Sequence, residues 1–145
     1  PPIVGLDRHP WAVQEARWTY ARLQLAGHAR QVDVAKFRPL GGRAAIVVAY
    51  VLNELPGPAR DRLVRTLLES AAGGARVLIL EPISRAVTPW WDEVAGRAEP
   101  IGGRADEWRI PLDLPPLLAM FDKGAGLNHR EVKARSLYVH SDSDS

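Results

Sequence analysis

The chain has 145 residues, 46% of them apolar and 25% charged, which is enough for one domain with its own core. With 19 basic and 17 acidic side chains the net charge is only +2, too small an excess for a dedicated nucleic-acid binder. The absence of cysteine excludes disulfides, cysteine zinc sites, iron–sulfur clusters and cysteine nucleophiles.

No apolar run is long enough to cross a bilayer. Pro1-Pro2-Ile3 has no charged stretch followed by an apolar one, so no secretory signal is visible. A cytoplasmic protein is the expectation. Most of the positive charge is arginine, which suits phosphate and planar recognition.

In chain order, residues 3–6 read as a strand ending at Asp7. Residues 11–26 read as a helix, with Pro10 at its first position and Gly27 as its stop. Ala12, Ala16, Thr19 and Leu23 share one face of it; Trp11, Trp18 and Leu25 form a seven-residue stripe read as packing. Residues 30–34 read as a short strand with Asp33 at its end, and residues 35–43 as a loop marked by Pro39 and Gly41-Gly42.

Residues 44–51 form a run rich in β-branched side chains. Such a run is the habit of a central parallel strand covered on both faces. It breaks into Asn53-Glu54 and stops at Pro56-Gly57-Pro58. Residues 59–72 are the clearest helix, with Leu63, Val64, Leu67, Leu68 and Ala71 as its stripe and Gly73-Gly74 after it. Residues 75–80 are an apolar strand ending at Glu81-Pro82.

A helix is expected to start with Thr88 as cap and Pro89 at its first position, Trp90-Trp91 packing on the sheet. Residues 99–104 are a loop, and 106–111 are ambiguous between strand and coil. Residues 114–123 read as a helix and 130–140 as a last strand, with Val132, Ala134, Ser136 and Tyr138 on one side. Residues 1–140 thus form a single domain and 141–145 a disordered polar tail. Alternating strands and helices predict an α/β fold with a doubly wound sheet.

Ligands of open α/β sheets sit at the carboxyl ends of the strands. Three such ends carry polar groups: Asp7, Asp33 and Asn53-Glu54. A carboxylate has two acceptor oxygens and can take both hydroxyls of a ribose; a second acid can meet the amine of an adenine. Helix capping accounts for Asp7 and a plain turn for Asp33 equally simply. The four histidines show no ligand spacing, so no metal is expected.

Val4-Gly5-Leu6-Asp7-Arg8-His9-Pro10, Val32-Asp33-Val34, Ala49-Tyr50-Val51-Leu52-Asn53-Glu54-Leu55 and Val77-Leu78-Ile79-Leu80-Glu81-Pro82 resemble, in order, the motifs of class I S-adenosylmethionine-dependent methyltransferases. The resemblance implies a Rossmann-like, mostly parallel sheet with S-adenosylmethionine as cofactor. It implies that Asp7 with Arg8 holds the ribose, that Asp33 with Val34 approaches the adenine, and that Tyr50, Val51 and Leu52 line the pocket by the methionine part. Asn53, Glu54 and Tyr50 are then the candidate catalytic residues. Gly126-Leu127-Asn128-His129-Arg130-Glu131 and Ala134-Arg135-Ser136-Leu137-Tyr138, with the Asn53 and Glu81 motifs, are similar to methyltransferase-like proteins associated with the small ribosomal subunit. That implies an RNA or ribosome-linked acceptor.

Two departures from the family follow. Its first strand and glycine-rich loop would precede residue 1, so a sheet lacking a central member is expected, with Ile3 exposed and cofactor binding and stability both weakened. The cysteines that could hold a metal cluster in the ribosomal subgroup are absent, so that role does not transfer. Two other readings stay open. One is a non-catalytic methyltransferase fold serving as an RNA-binding or assembly platform. The other is an NAD-dependent Rossmann oxidoreductase, which would use Asp7 on the ribose in the same way.

Overall fold

The computed structural model describes residues 2–40, 42 and 44–141. Gly41 and Arg43 of the expected loop, and residues 142–145 of the expected tail, lie outside the described residues. Ser141, the first residue of that tail, is tied down: its hydroxyl donates to the Ala71 carbonyl at 2.9 Å.

β1 (Ile3–Asp7) leads into α1 (Pro10–Arg22), and β2 (Gly27–Gln31) returns parallel to β1, with Ile3 opposite Gly27 and Asp7 opposite Gln31. This corrects the expectation of a helix over 11–26 stopped by glycine. α1 ends at Arg22, Gln24 takes the left-handed φ of 53° that turns the chain, and Gly27 opens the strand. A Cβ at Gly27 would stand 3.1 Å from the Ile3 carbonyl oxygen. The glycine therefore serves close strand approach. Only Val13 of α1 is buried. Trp11 and Trp18, 64% and 63% exposed, lie on the far side from it, so the tryptophan stripe does not pack as expected. Seven residues bring a helix back to the same face, and a step of two turns it nearly half-way round.

β3 (Ala45–Ala49) and β4 (Arg76–Glu81) pair in parallel; β6 (Glu131–Val139) pairs antiparallel to β4, and β5 (Gly103–Pro111) antiparallel to β6. The order β3-β4-β6-β5 forms one sheet and β1-β2 another. In the larger sheet only β6 runs against the rest, so the fold is Rossmann-like and mostly parallel. The ambiguous stretch 106–111 is part of a nine-residue strand.

The run 44–51 is not a central strand covered on both faces. Among the described residues β3 is the outer strand of its sheet, and Val47 is 66% exposed. β1 is likewise unpaired on the side away from β2, and Ile3 is exposed as expected. The two open edges match a parallel sheet without one of its inner strands.

α2 (Gly57–Ala72) follows β3 and buries Leu63, Val64, Leu67, Ser70 and Ala71. α3 (Trp91–Ala98) buries Trp91, Val94 and Ala98. Together they cover one sheet face, Val77 and Ile79 of β4 with Leu137 and Val139 of β6. Thr88 does not cap α3: it is buried, and its hydroxyl donates back to the Ser84 carbonyl at 3.0 Å. α4 (Pro116–Gly124) buries none of its residues.

Candidate functional site

The carboxyl ends of β1 and β2 adjoin. The Val32 N–H donates to the Asp7 carbonyl at 2.8 Å, and the Gln31 side chain donates to the Arg8 carbonyl at 3.0 Å. Asp7 Oδ1 accepts the His9 N–H at 2.7 Å, and His9 Nδ1 accepts the Trp11 N–H at 3.2 Å, starting α1. Asp33 lies two residues past β2, where its Oδ1 accepts the Ala35 N–H at 3.0 Å and caps a 3-10 turn, Val34–Lys36. Asp33 thus caps its turn, whereas α1 takes His9 as its cap and Asp7 only closes the turn before it. Each aspartate is exposed and keeps a second carboxylate oxygen for a ligand. Val34 points the other way, packed on the core.

The end of β3 is more tightly made. Tyr50 takes φ 56° and its N–H still donates to the Leu80 carbonyl at 2.9 Å. A left-handed tyrosine is uncommon and costs about 1–2 kcal/mol. The chain then turns through a 3-10 segment, Leu52–Glu54, with Leu52 fully buried. Tyr50 and Glu54 stay exposed, and the Asn53 amide donates to Glu54 Oε1 at 3.3 Å. No side chain of the turn caps it.

The anchor comes from the next strand. Glu81, the last residue of β4, is fully buried and its Oε1 accepts the Leu52 N–H at 2.8 Å. Burial pushes its carboxyl above the ordinary carboxylate range, opposed by the N–H groups of Leu52, Asn53 and Val51. Its Oε2 and the Asn53 Oδ1 are buried without a hydrogen-bond partner. Opposite Glu81 in register stands Arg135, 2% exposed. Its Nη2 donates to the Ile83 carbonyl at 2.6 Å and to Glu107 Oε1 at 3.2 Å, and its guanidinium stacks 5.3 Å from the Trp91 ring. Arg60 of α2 stacks on Trp90 at 5.0 Å. Both tryptophans are buried, consistent with packing on the sheet.

Glu81 and Arg135 stand in the motifs that carry the resemblance, but sequence reasoning gave neither a role in this region. Glu81 satisfies the same strand-end rule that picked out Asp7, but Pro82 made it look like a mere stop. Arg135 sits in a strand whose alternation assigns it outward, and nothing local marks it as buried. His129 and Arg130 are used locally: the His129 ring pairs with Asp122, and Arg130 donates to the Asn128 side chain at 3.1 Å. The His129 bonds hold the Asp122 carboxyl below its usual range. Among the described residues no group of histidine and carboxylate side chains could hold a metal, and no helix is long and apolar enough to cross a membrane.

No family model and no curated protein matches the chain. Solved structures do. The N-methyltransferase NodS of Bradyrhizobium japonicum, in complex with S-adenosyl-L-homocysteine, superposes with TM-score 0.62 at 13% identity over 97% of this chain and 66% of its own. An rRNA methylase of Streptococcus thermophilus gives 0.57 at 11% identity, covering 96% and 74%. Precorrin 8w decarboxylase of Methanobacterium thermoautotrophicum gives 0.60 at 15% identity, covering 95% and 69%. The chain thus spans about two thirds of NodS. At such identities the likeness is one of fold, and the decarboxylase is a reminder that one fold hosts several chemistries. The fold of this chain is that of the class I S-adenosylmethionine-dependent methyltransferases.

Proposed function

We propose that the protein transfers a methyl group from S-adenosylmethionine. The observation that carries this reading is the carboxyl edge itself. In the smaller sheet β1 ends in exposed Asp7, and exposed Asp33 lies two residues past its parallel neighbour β2; in the larger sheet β3 leads into the Tyr50–Glu54 turn. The nucleoside half of the cofactor is assigned to the first pair: the spare oxygen of Asp7 takes the ribose with Arg8 beside it, and Asp33 faces the adenine, while the Val34 side chain, packed on the core, does not. Tyr50 borders the sulfonium side with the main chain of Val51 and Leu52, whose side chains turn into the core. The cofactor supplies the electrophilic methyl; the protein positions the acceptor. Asn53, Glu54 and Tyr50 are the groups for that task, and a nitrogen with a free lone pair would need no strong base. For the acceptor we propose RNA or a ribosome-linked group; the motif resemblance and the rRNA methylase among the similar structures support this reading.

Calorimetry on the intact protein with S-adenosylmethionine and with NAD tests the reading. Binding of the first alone is expected. Binding of NAD alone would overturn it in favour of an oxidoreductase, and binding of neither would favour an RNA-binding platform.

A further inference from the structure

We propose that Glu81 is a positioning residue for the candidate site at the end of β3, holding the Tyr50–Glu54 turn in place through the main-chain N–H of Leu52. Three observations carry this. The turn's own support is thin: it begins at a left-handed Tyr50, has no side-chain cap, and its internal bonds, the Glu54 N–H to the Val51 carbonyl and the Leu55 N–H to the Leu52 carbonyl, are long at 3.2 and 3.3 Å. Beyond the Tyr50 N–H to the Leu80 carbonyl, a side-chain contact ties it to the sheet, the Leu52 N–H to Glu81 Oε1 bond of 2.8 Å, spanning 29 residues of sequence. And the carboxyl group is kept at a cost. Glu81 is fully buried, its Oε2 has no partner, and Asn53 Oδ1 beside the turn has none either. Unsatisfied buried polar atoms are rare in native proteins and call for a functional explanation.

The charged groups around Glu81 do not neutralise it. Arg135 stands across from it on β6 but directs its bonds to Ile83 and Glu107. Arg60 of α2 lies on Trp90, and Glu54 of the turn repels it. A leucine at this position would fill the same space and remove the penalty. The glutamate is therefore retained for what it does to the turn. This wall borders Tyr50 and Asn53, so the inference rests on the methyl-transfer reading for its effect on ligand affinity, but not for its effect on the turn.

The test compares Glu81→Leu and Glu81→Gln with the unmodified, intact protein. Amide hydrogen exchange is followed at residues 50–54, and affinity for S-adenosylhomocysteine is measured by calorimetry. In Glu81→Leu, exchange at Leu52 is expected to speed up about tenfold, with Val77 and Ile79 of β4 unchanged, and affinity to fall by a similar factor. Glu81→Gln keeps one acceptor oxygen but presents N–H groups to the turn; its effect should be intermediate, and it covers the case in which the leucine variant fails to fold. The melting temperature of the glutamine variant, relative to wild type, should also rise with pH: a carboxyl raised by burial stabilises fully below its unfolded value and loses that contribution as pH climbs through the folded one. Wild-type exchange at Leu52 in both variants would overturn the proposal. If the unmodified protein binds no S-adenosyl compound, the methyl-transfer reading fails and the exchange result still decides the role of Glu81.

Discussion

In the proposed function Asp7 does two jobs with two oxygens. One closes the turn into α1 by accepting the His9 N–H; the other faces outward, where a ribose would lie. Replacement by asparagine separates them, because asparagine can accept the His9 N–H as aspartate does but carries no charge. Asp7→Asn is expected to keep the melting temperature within a few degrees and to weaken S-adenosylhomocysteine binding roughly tenfold or more, the worth of a hydrogen bond to a charged group. Asp7→Ala should lose the bond from the His9 N–H as well, at about 1 kcal/mol of stability. Equal affinity of wild type and Asp7→Asn in calorimetry would remove Asp7 from the site. The aspartates could be found in the sequence because an acid after an apolar strand is a local pattern. The burial of Glu81 and Arg135 could not, since it depends on β4 and β6, which are distant in sequence, standing side by side.

The elements show the same division. α2 and β4 were legible because their apolar periods are long and uninterrupted. β5 was not: Arg104, Asp106, Glu107 and Arg109 leave no apolar alternation, and the strand exists because β6 supplies its hydrogen bonds over the full register from Gly103–Val139 to Pro111–Glu131. The start of β5 is also where it meets α3. A Cβ at Gly103 would stand 2.6 Å from the Ala98 Cβ and 2.7 Å from the Ala98 carbonyl, and that helix backbone cannot easily move. Gly103→Ala is expected to cost about 1–3 kcal/mol, seen as a lower midpoint in urea with an unchanged slope. An unchanged midpoint would mean that α3 and β5 sit further apart than described. The start of α3 was misjudged because Thr-Pro before an apolar stretch is a good local cap signal; the hydroxyl of the buried Thr88 instead donates to the Ser84 carbonyl upstream.

For the whole molecule, the alternation of strands and helices carried the fold class, and the ordered motifs carried the expectation of an inner strand missing from the sheet. What local pattern could not show was how much that gap exposes. Val47, in a run that looks like the deepest core, stands 66% exposed at the rim of the larger sheet, with Val4 exposed at the rim of the smaller. Bare parallel rims accept any extended backbone that arrives. The 145-residue chain by itself is therefore expected to be adhesive: its mean mass in sedimentation should climb with concentration, and Val47→Lys should blunt the climb without altering the melting midpoint. A monodisperse 16.0 kDa species at every concentration would show that these rims close on each other instead.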